Sequence, residues 1–289
     1  MDFPVRHAPW AVAFALALFL VGGYQLLFAP PADFPAGSIV SIARGSSAPL
    51  VAEQFATARL IKHPRLLLLA LRVSGASARV QAGAYLFTKP ESLFIVAYRI
   101  TAGAYGLPPV RITFPEGTSV RQAAALISAA LPEVKAADFL KAAQPYEGYL
   151  FPDTYLFPPS ADTTSIIALL RANFDTKIAT LSADIAAAGR SISDIVTLAS
   201  LVEKEGRTTE SRRMVAGILL NRLKLGMPLQ VDAVFGYIFG RDTYSPSFAD
   251  LTVDSPYNTY THKGLPPGPI NNPGMDALQA VLHPAKTKY

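Results

Sequence analysis

Val110-Arg111-Ile112-Thr113-Phe114-Pro115-Glu116-Gly117-Thr118-Ser119 runs directly into an alanine-rich segment, residues 120–131. The first five residues are rich in β-branched and aromatic side chains, which favour a strand. Pro115 and Gly117 then punctuate the chain, since proline withholds a backbone donor and glycine supplies turn conformations. Either Ser119 or Thr118 can cap the next helix, and Gln122 stands at capping-box distance from Ser119. The stretch therefore reads as strand, turn, helix. The same grammar occurs earlier. Residues 38–43 form a short β-branched run, Gly45-Ser46-Ser47 interrupts it, and Leu50, Val51, Phe55 and Leu60 come next at helical spacing. Between the two copies, Gln81-Ala82-Gly83-Ala84-Tyr85-Leu86-Phe87 reads as a turn and a strand. Two such units predict a small α+β module, bounded here at residues 36–141.

Before it lies a segment of a different kind. Residues 10–28, WAVAFALALFLVGGYQLLF, carry no charge. As a helix this length is about 29 Å, close to the hydrocarbon thickness of a bilayer. It is apolar on every side, whereas a core helix shows one apolar stripe. Pro30 and Pro31 come after Ala29 and suit a stiff exit from a membrane better than a cleavage site. We expect an uncleaved transmembrane anchor at 10–28, with a cytoplasmic tail at 1–9. Arg6 precedes the span and no Lys or Arg follows until Arg44, so the positive-inside bias places the bulk of the chain outside the cytoplasm.

Composition narrows the classes further. Hydrophobic residues are 51% of the 289 and charged residues 16%, which excludes a disordered chain. A net charge of +5 on this length is too thin for nucleic-acid binding. With no cysteine, disulfides and thiolate zinc sites are excluded, and the four scattered histidines give no metal pair.

From residue 142 onward the pattern predicts a mainly helical, loop-rich domain, 142–289. Helices are expected at 165–187, 193–205 and 211–225, the last closed by Gly226. Loops crowded with proline and glycine occupy the chain beyond residue 228. In the second helix Ile195, Leu198, Ala199 and Val202 fall at i, i+3, i+4 and i+7, a buried stripe. Lys204 points away from it, and Glu203 and Glu205 flank it on opposite sides. A carboxyl at the margin of an apolar stripe is partly desolvated, which raises its pKa and keeps a proton available. A general acid acting on a glycosidic oxygen needs that property. Periodicity does not choose between the two glutamates.

Six strings in order carry a resemblance. They are Glu147-Gly148-Tyr149-Leu150-Phe151-Pro152-Asp153-Thr154-Tyr155, Ala199-Ser200-Leu201-Val202-Glu203-Lys204-Glu205, Asn221-Arg222-Leu223 with Gly226-Met227, Leu229-Gln230 with Asp232, Tyr257-Asn258-Thr259-Tyr260 with Gly264-Leu265-Pro266-Pro267-Gly268-Pro269-Ile270, and His283-Pro284-Ala285. Together they resemble the endolytic murein transglycosylases, the YceG-like or MltG family. The resemblance implies a single-pass protein of the cell inner membrane with a LysM-like module and a periplasmic catalytic domain. It implies internal cutting of peptidoglycan glycan strands by a lyase reaction, near the synthases that make them. It also implies a chain that continues past Tyr289, so that the catalytic domain is cut short here.

The resemblance puts the catalytic glutamate on Glu203. As the single acid/base it would protonate the leaving oxygen and then take the proton of the C6 hydroxyl, which closes on C1 of N-acetylmuramic acid as a 1,6-anhydro ring. Gln230 and Asn258 are candidates to hydrogen-bond sugar groups, and Tyr257 and Tyr260 to pack on sugar faces. Glu205, Asp232 and Glu147 are assigned supporting roles. No cofactor and no metal are called for. Two alternatives stand beside this reading: an inactive anchored module that binds glycan or organises synthases, and a muramidase that uses water. For the muramidase, Asp232 is the closest second carboxylate, ahead of Asp242, Asp250 and Asp254.

Overall fold

The computed structural model describes residues 8–43, 45–241 and 244–288. Arg6 and most of the expected tail, Arg44, Asp242 and Tyr289 lie outside them. The chain divides into two compact units, residues 1–109 with 158–160, and residues 110–157 with 161–289.

The first unit opens with helix α1 (Ala8–Leu27), whose apolar side chains Val12, Phe14, Leu16, Phe19, Leu20 and Leu26 are exposed. Its own unit therefore does not bury it. Among the described residues, no single helix is long and apolar enough to cross a membrane, the apolar part of α1 being Val12–Leu27. The end of α1 is tied down: Leu93 N donates to the Phe28 carbonyl at 3.0 Å, and Phe28 stacks on Phe94 at 4.8 Å.

Strand β1 (Ser38–Ile42) comes next, then α2 (Ala48–Thr57), α3 (Pro64–Val73), β2 (Gly83–Phe87) and α4 (Leu93–Ala102). β1 and β2 pair antiparallel, with Val40 opposite Tyr85. Val51, Phe55, Leu67, Leu71, Tyr85, Phe87, Val96 and Ile100 close one core between sheet and helices. One charged pair is buried beside it. Arg99 binds Glu91 at 3.0 Å, donates to the Leu86 carbonyl at 2.7 Å, and lies over the Phe87 ring. These donors and acceptors satisfy both ions, which is the condition for burying them.

The second unit begins with β3 (Val110–Thr113), which pairs antiparallel with β4 (Thr154–Phe157), Ile112 opposite Tyr155. Between them run α5 (Val120–Ala130) and α6 (Ala136–Ala143). Ser119 is the N-cap of α5: its hydroxyl accepts from Gln122 N, and the Gln122 side chain accepts from Ser119 N at 2.9 Å. Ile112, Val120, Ile127, Phe139, Tyr155, Phe157 and Ile166 share one core. Residues 110–141 therefore belong to the second unit and not to the first. The division falls at Pro109, not near residue 142, because the strand at 110 finds its partner at 154, beyond the expected boundary.

The rest of this unit is helical. The helix expected at 165–187 is two, α7 (Thr163–Ala179) and α8 (Ser182–Ala188). Leu181, 4% exposed, turns into the core between them, and Thr180 Oγ1 donates to the Lys177 carbonyl at the helix end. Helix α9 (Ile192–Glu205) is the centre of the second core. α10 (Thr209–Lys224), α11 (Ala233–Phe239) and α12 (Met275–Leu282) pack around it. Ile195, Leu198, Ala199 and Val202 are all buried, as the periodicity requires. The three larger ones, Ile195, Leu198 and Val202, each contribute about 1.5–3 kcal/mol when removed from water. Gly226 has φ +66 just past α10, the left-handed position that closes a helix.

Candidate active site

The loops after α11 are held to this helical core by side-chain amides. The Ile270 amide donates to Ser200 Oγ at 3.1 Å, and Asn271 donates to the Ser200 carbonyl at 2.7 Å. Asn272 joins three segments: it donates to the Thr118 carbonyl at 2.8 Å and to Glu147 at 3.3 Å, and it accepts from Leu150 N at 2.9 Å. The turn 115–119 and the 147–150 loop are thereby fixed against the end of α9.

A cavity of about 670 Å³ opens at that place. Among the described residues, three carboxyl groups line it: Glu147, Glu205 and Asp232. Lys204, Arg121, Arg207 and Arg241 line it too, with Tyr237 and Tyr244.

Glu205 ends α9 and reaches solvent through the cavity. The surrounding walls still desolvate it, and this burial is the main cause that raises its pKa. The Ala233 amide works against the shift and the Asp232 charge adds to it. Glu205 is thus an accessible carboxyl with its proton made easier to keep. Asp232 accepts a hydrogen bond from the Tyr260 hydroxyl. That bond, with burial second, pushes the Tyr260 pKa up to about 12.

Glu147 is 7% exposed and accepts from Val120 N at 3.0 Å. Burial pushes its pKa up to about 7, with the Val120 amide and the charges of Arg121 and Lys204 opposing.

Glu203 lies elsewhere. Two residues before Glu205, it points about 200° away around the helix axis. It does not line the cavity. One carboxylate oxygen accepts from Arg212, and the other accepts from Gly274 N at 2.9 Å. Arg212 also holds Asp276 at 2.6 Å. Gly117, with φ +74, lets the 115–119 turn approach closely: a Cβ there would stand 3.2 Å from Glu203 Cγ. Burial raises the Glu203 pKa, against the Gly274 amide and Arg212. Both its oxygens already face donors, and its side chain is only 4% exposed. Of the two glutamates singled out in the sequence, Glu205 lines the cavity and Glu203 does not.

The other expected residues divide likewise. Asn258 is fully buried, and backbone groups use its side chain: it donates to the Leu251 and Val253 carbonyls at 3.1 and 2.8 Å and accepts from Tyr260 N at 3.0 Å. It shapes the loop and is not open to a sugar. Gln230 accepts from Arg222 at 3.1 Å and, like Tyr257, does not line the cavity. Tyr257 packs on Tyr237, ring centroids 5.0 Å apart. Tyr260 does not line the cavity, but its hydroxyl donates to Asp232, which does. Sequence reasoning missed Arg212 and the basic cavity lining. Arg212 and Asp276 are 64 residues apart, so no local spacing signals their pairing.

A mixed fold whose cavity gathers acidic, basic and tyrosine side chains around the end of a buried helix is the framework of a polar-substrate site. The chain belongs to the YceG-like family, which matches residues 40–289. It is 33% identical over 277 residues to the endolytic murein transglycosylase of Bacillus subtilis, covering 86% of this chain and 76% of that one. It is 38% identical over 146 residues to the endolytic murein transglycosylase of Streptococcus pneumoniae serotype 2, covering 49% of this chain and 26% of that one. The crystal structure of a YceG-like protein from Listeria monocytogenes is similar with a TM-score of 0.58 and 28% identity, over 87% of this chain and 91% of that one.

Proposed function

We propose that this protein is a membrane-anchored endolytic murein transglycosylase in which Glu205, not Glu203, is the acid/base. The observation that carries the assignment is the contrast at the end of α9. Glu205 opens into the 670 Å³ cavity beside Asp232, while Glu203 is closed off by Arg212 and Gly274. In the reaction, protonated Glu205 gives its proton to the glycosidic oxygen between N-acetylmuramic acid and N-acetylglucosamine. The C6 hydroxyl of the muramic residue bonds to C1, and Glu205 accepts the proton that this hydroxyl releases. One group serves both steps, and no water enters the product.

The apolar, exposed α1 supports a membrane anchor, with the chain beyond it outside the cytoplasm in the periplasm. The β1–α2–α3–β2 arrangement supports a LysM-like glycan-binding role for the first unit. Cutting strands within their length suits a partnership with peptidoglycan synthases. A second reading has an observation of its own: Asp232 shares the cavity with Glu205, so a water-using muramidase with two carboxylates is the rival. Digestion of uncrosslinked glycan in water enriched in oxygen-18 separates the two. Unlabelled anhydro ends are expected; labelled reducing ends as the main product would establish the hydrolase.

A further inference from the structure

The sugar backbone of a glycan strand offers hydroxyls and acetamides, which need no cation. The cavity nevertheless carries three arginines from three separate segments. Arg121 is near the start of α5, Arg207 lies just past α9 and Arg241 just past α11. All three are exposed. Among the described residues none of them makes an ion pair, although three carboxyl groups line the same cavity.

Two of these guanidinium groups have prepared seats. Gly240 ends α11 in the left-handed region, φ +65, and a Cβ there would stand 2.7 Å from Arg121 Cζ and within 2.9 Å of both its terminal nitrogens. The Arg121 guanidinium therefore lies against bare backbone at the residue next to Arg241. Arg241 in turn lies over the Tyr244 ring, 5.1 Å from its centroid. A held guanidinium loses less freedom on binding, and its planar fork matches a carboxylate.

We propose that Arg121 and Arg241, with Arg207, form a carboxylate subsite that holds the stem peptides of the glycan strand, so that peptide-bearing strands are cut in preference to denuded ones. This rests on the glycan-cutting reading and adds a ligand to the same cavity. Stem peptides branch from the lactyl group of the muramic residue and end in free carboxylates. A strand with its reacting bond at Glu205 carries those branches close to the bond, and the exposed arginines line the same cavity.

The test compares two substrates, uncrosslinked strands with their peptides and the same strands stripped by an amidase, which leaves only the lactyl carboxylate. The full chain in detergent is assayed on both, and kcat/KM is read as a ratio. An exposed ion pair contributes a factor of roughly 1.5 to 5, so two contacts predict a ratio of roughly 2 to 25. The double variant R121Q/R241Q should bring the ratio close to one, while R121K/R241K should keep part of it. If the double variant does not fold, R207Q and the salt dependence of the wild-type ratio carry the same information; the ratio should fall in both. A wild-type ratio of one, or a ratio that survives R121Q/R241Q, overturns the subsite. Failure of the wild type to cut either strand is a separate result and rejects the glycan-cutting reading itself.

Discussion

Exchanging the two glutamates of α9 for glutamine, one at a time, should produce opposite failures. In Glu203→Gln the side chain keeps its shape but turns one acceptor into a donor. Its neighbours at that point are donors, Arg212 on one side and Gly274 N on the other. One buried hydrogen bond is lost and a donor left unsatisfied, about 1–3 kcal/mol. Breaking a buried ion pair costs about 3–5 kcal/mol, but Arg212 keeps Asp276 at 2.6 Å, so only part of that applies. The sum is about 2–4 kcal/mol of stability, a fall in Tm of roughly 5–15 °C for a unit of this size. Glu205→Gln changes an accessible side chain and should cost within about 1 kcal/mol. Cleavage should nevertheless fall by about 10²–10⁴-fold, the usual contribution of a general acid/base. Thermal unfolding of the detergent-solubilised chain and mass analysis of glycan products read the two effects separately. A Glu205→Gln protein that cuts normally, paired with a stable Glu203→Gln protein that does not cut, would return the acid to Glu203.

Three further outcomes are expected from the geometry. Asp232→Asn removes a charge that raises the Glu205 pKa, so the limb of the pH–rate profile that needs a protonated acid should move to lower pH while anhydro products persist; abolished cleavage would favour the two-carboxylate reading. Glu147, pushed up from 4.5 to about 7, holds a proton in the folded state that the unfolded chain has released. Its contribution to stability is therefore full below about pH 4.5 and lost as pH rises to about 7, by up to about 3 kcal/mol, and Glu147→Gln should flatten that part of the Tm–pH curve relative to wild type. Gly148→Ala places a Cβ 2.4 Å from Pro269 Cγ and 2.9 Å from Val196 Cγ1 at φ +86, and a loss above about 3 kcal/mol is expected in denaturant unfolding.

The elements were legible where a local signal existed. The Ser119–Gln122 capping box, the apolar stripe of α9 and the Gly226 stop are each written within a few residues and each occurs in the structure. The domain boundary was not legible, because it depends on β3 pairing with a strand more than forty residues later. The same limit hid the site. Asn258 stands in a motif rich in polar residues, and only the positions of the Leu251 and Val253 carbonyls show that its amide is already committed. The arginines of the cavity stand on separate elements and have no motif in common.

The choice between Glu203 and Glu205 shows why a motif locates a site more readily than a residue. Both flank the same buried stripe, and burial raises the pKa of both. Acidity therefore cannot separate them; access can. Two positions apart on a helix, the side chains diverge by about 200°, so a helix that buries its stripe presents at most one of them to a given cleft. Here the Glu203 side is filled by the 115–119 turn, Arg212 and the start of α12, and the Glu205 side is left open by the loop that brings Asp232 and Ala233. On the proposed assignment, the packing of α9 supplies one carboxylate as a structural clasp and the other as the reagent. The glycine at 117 is what allows the clasp to close, since a side chain there would press on Glu203.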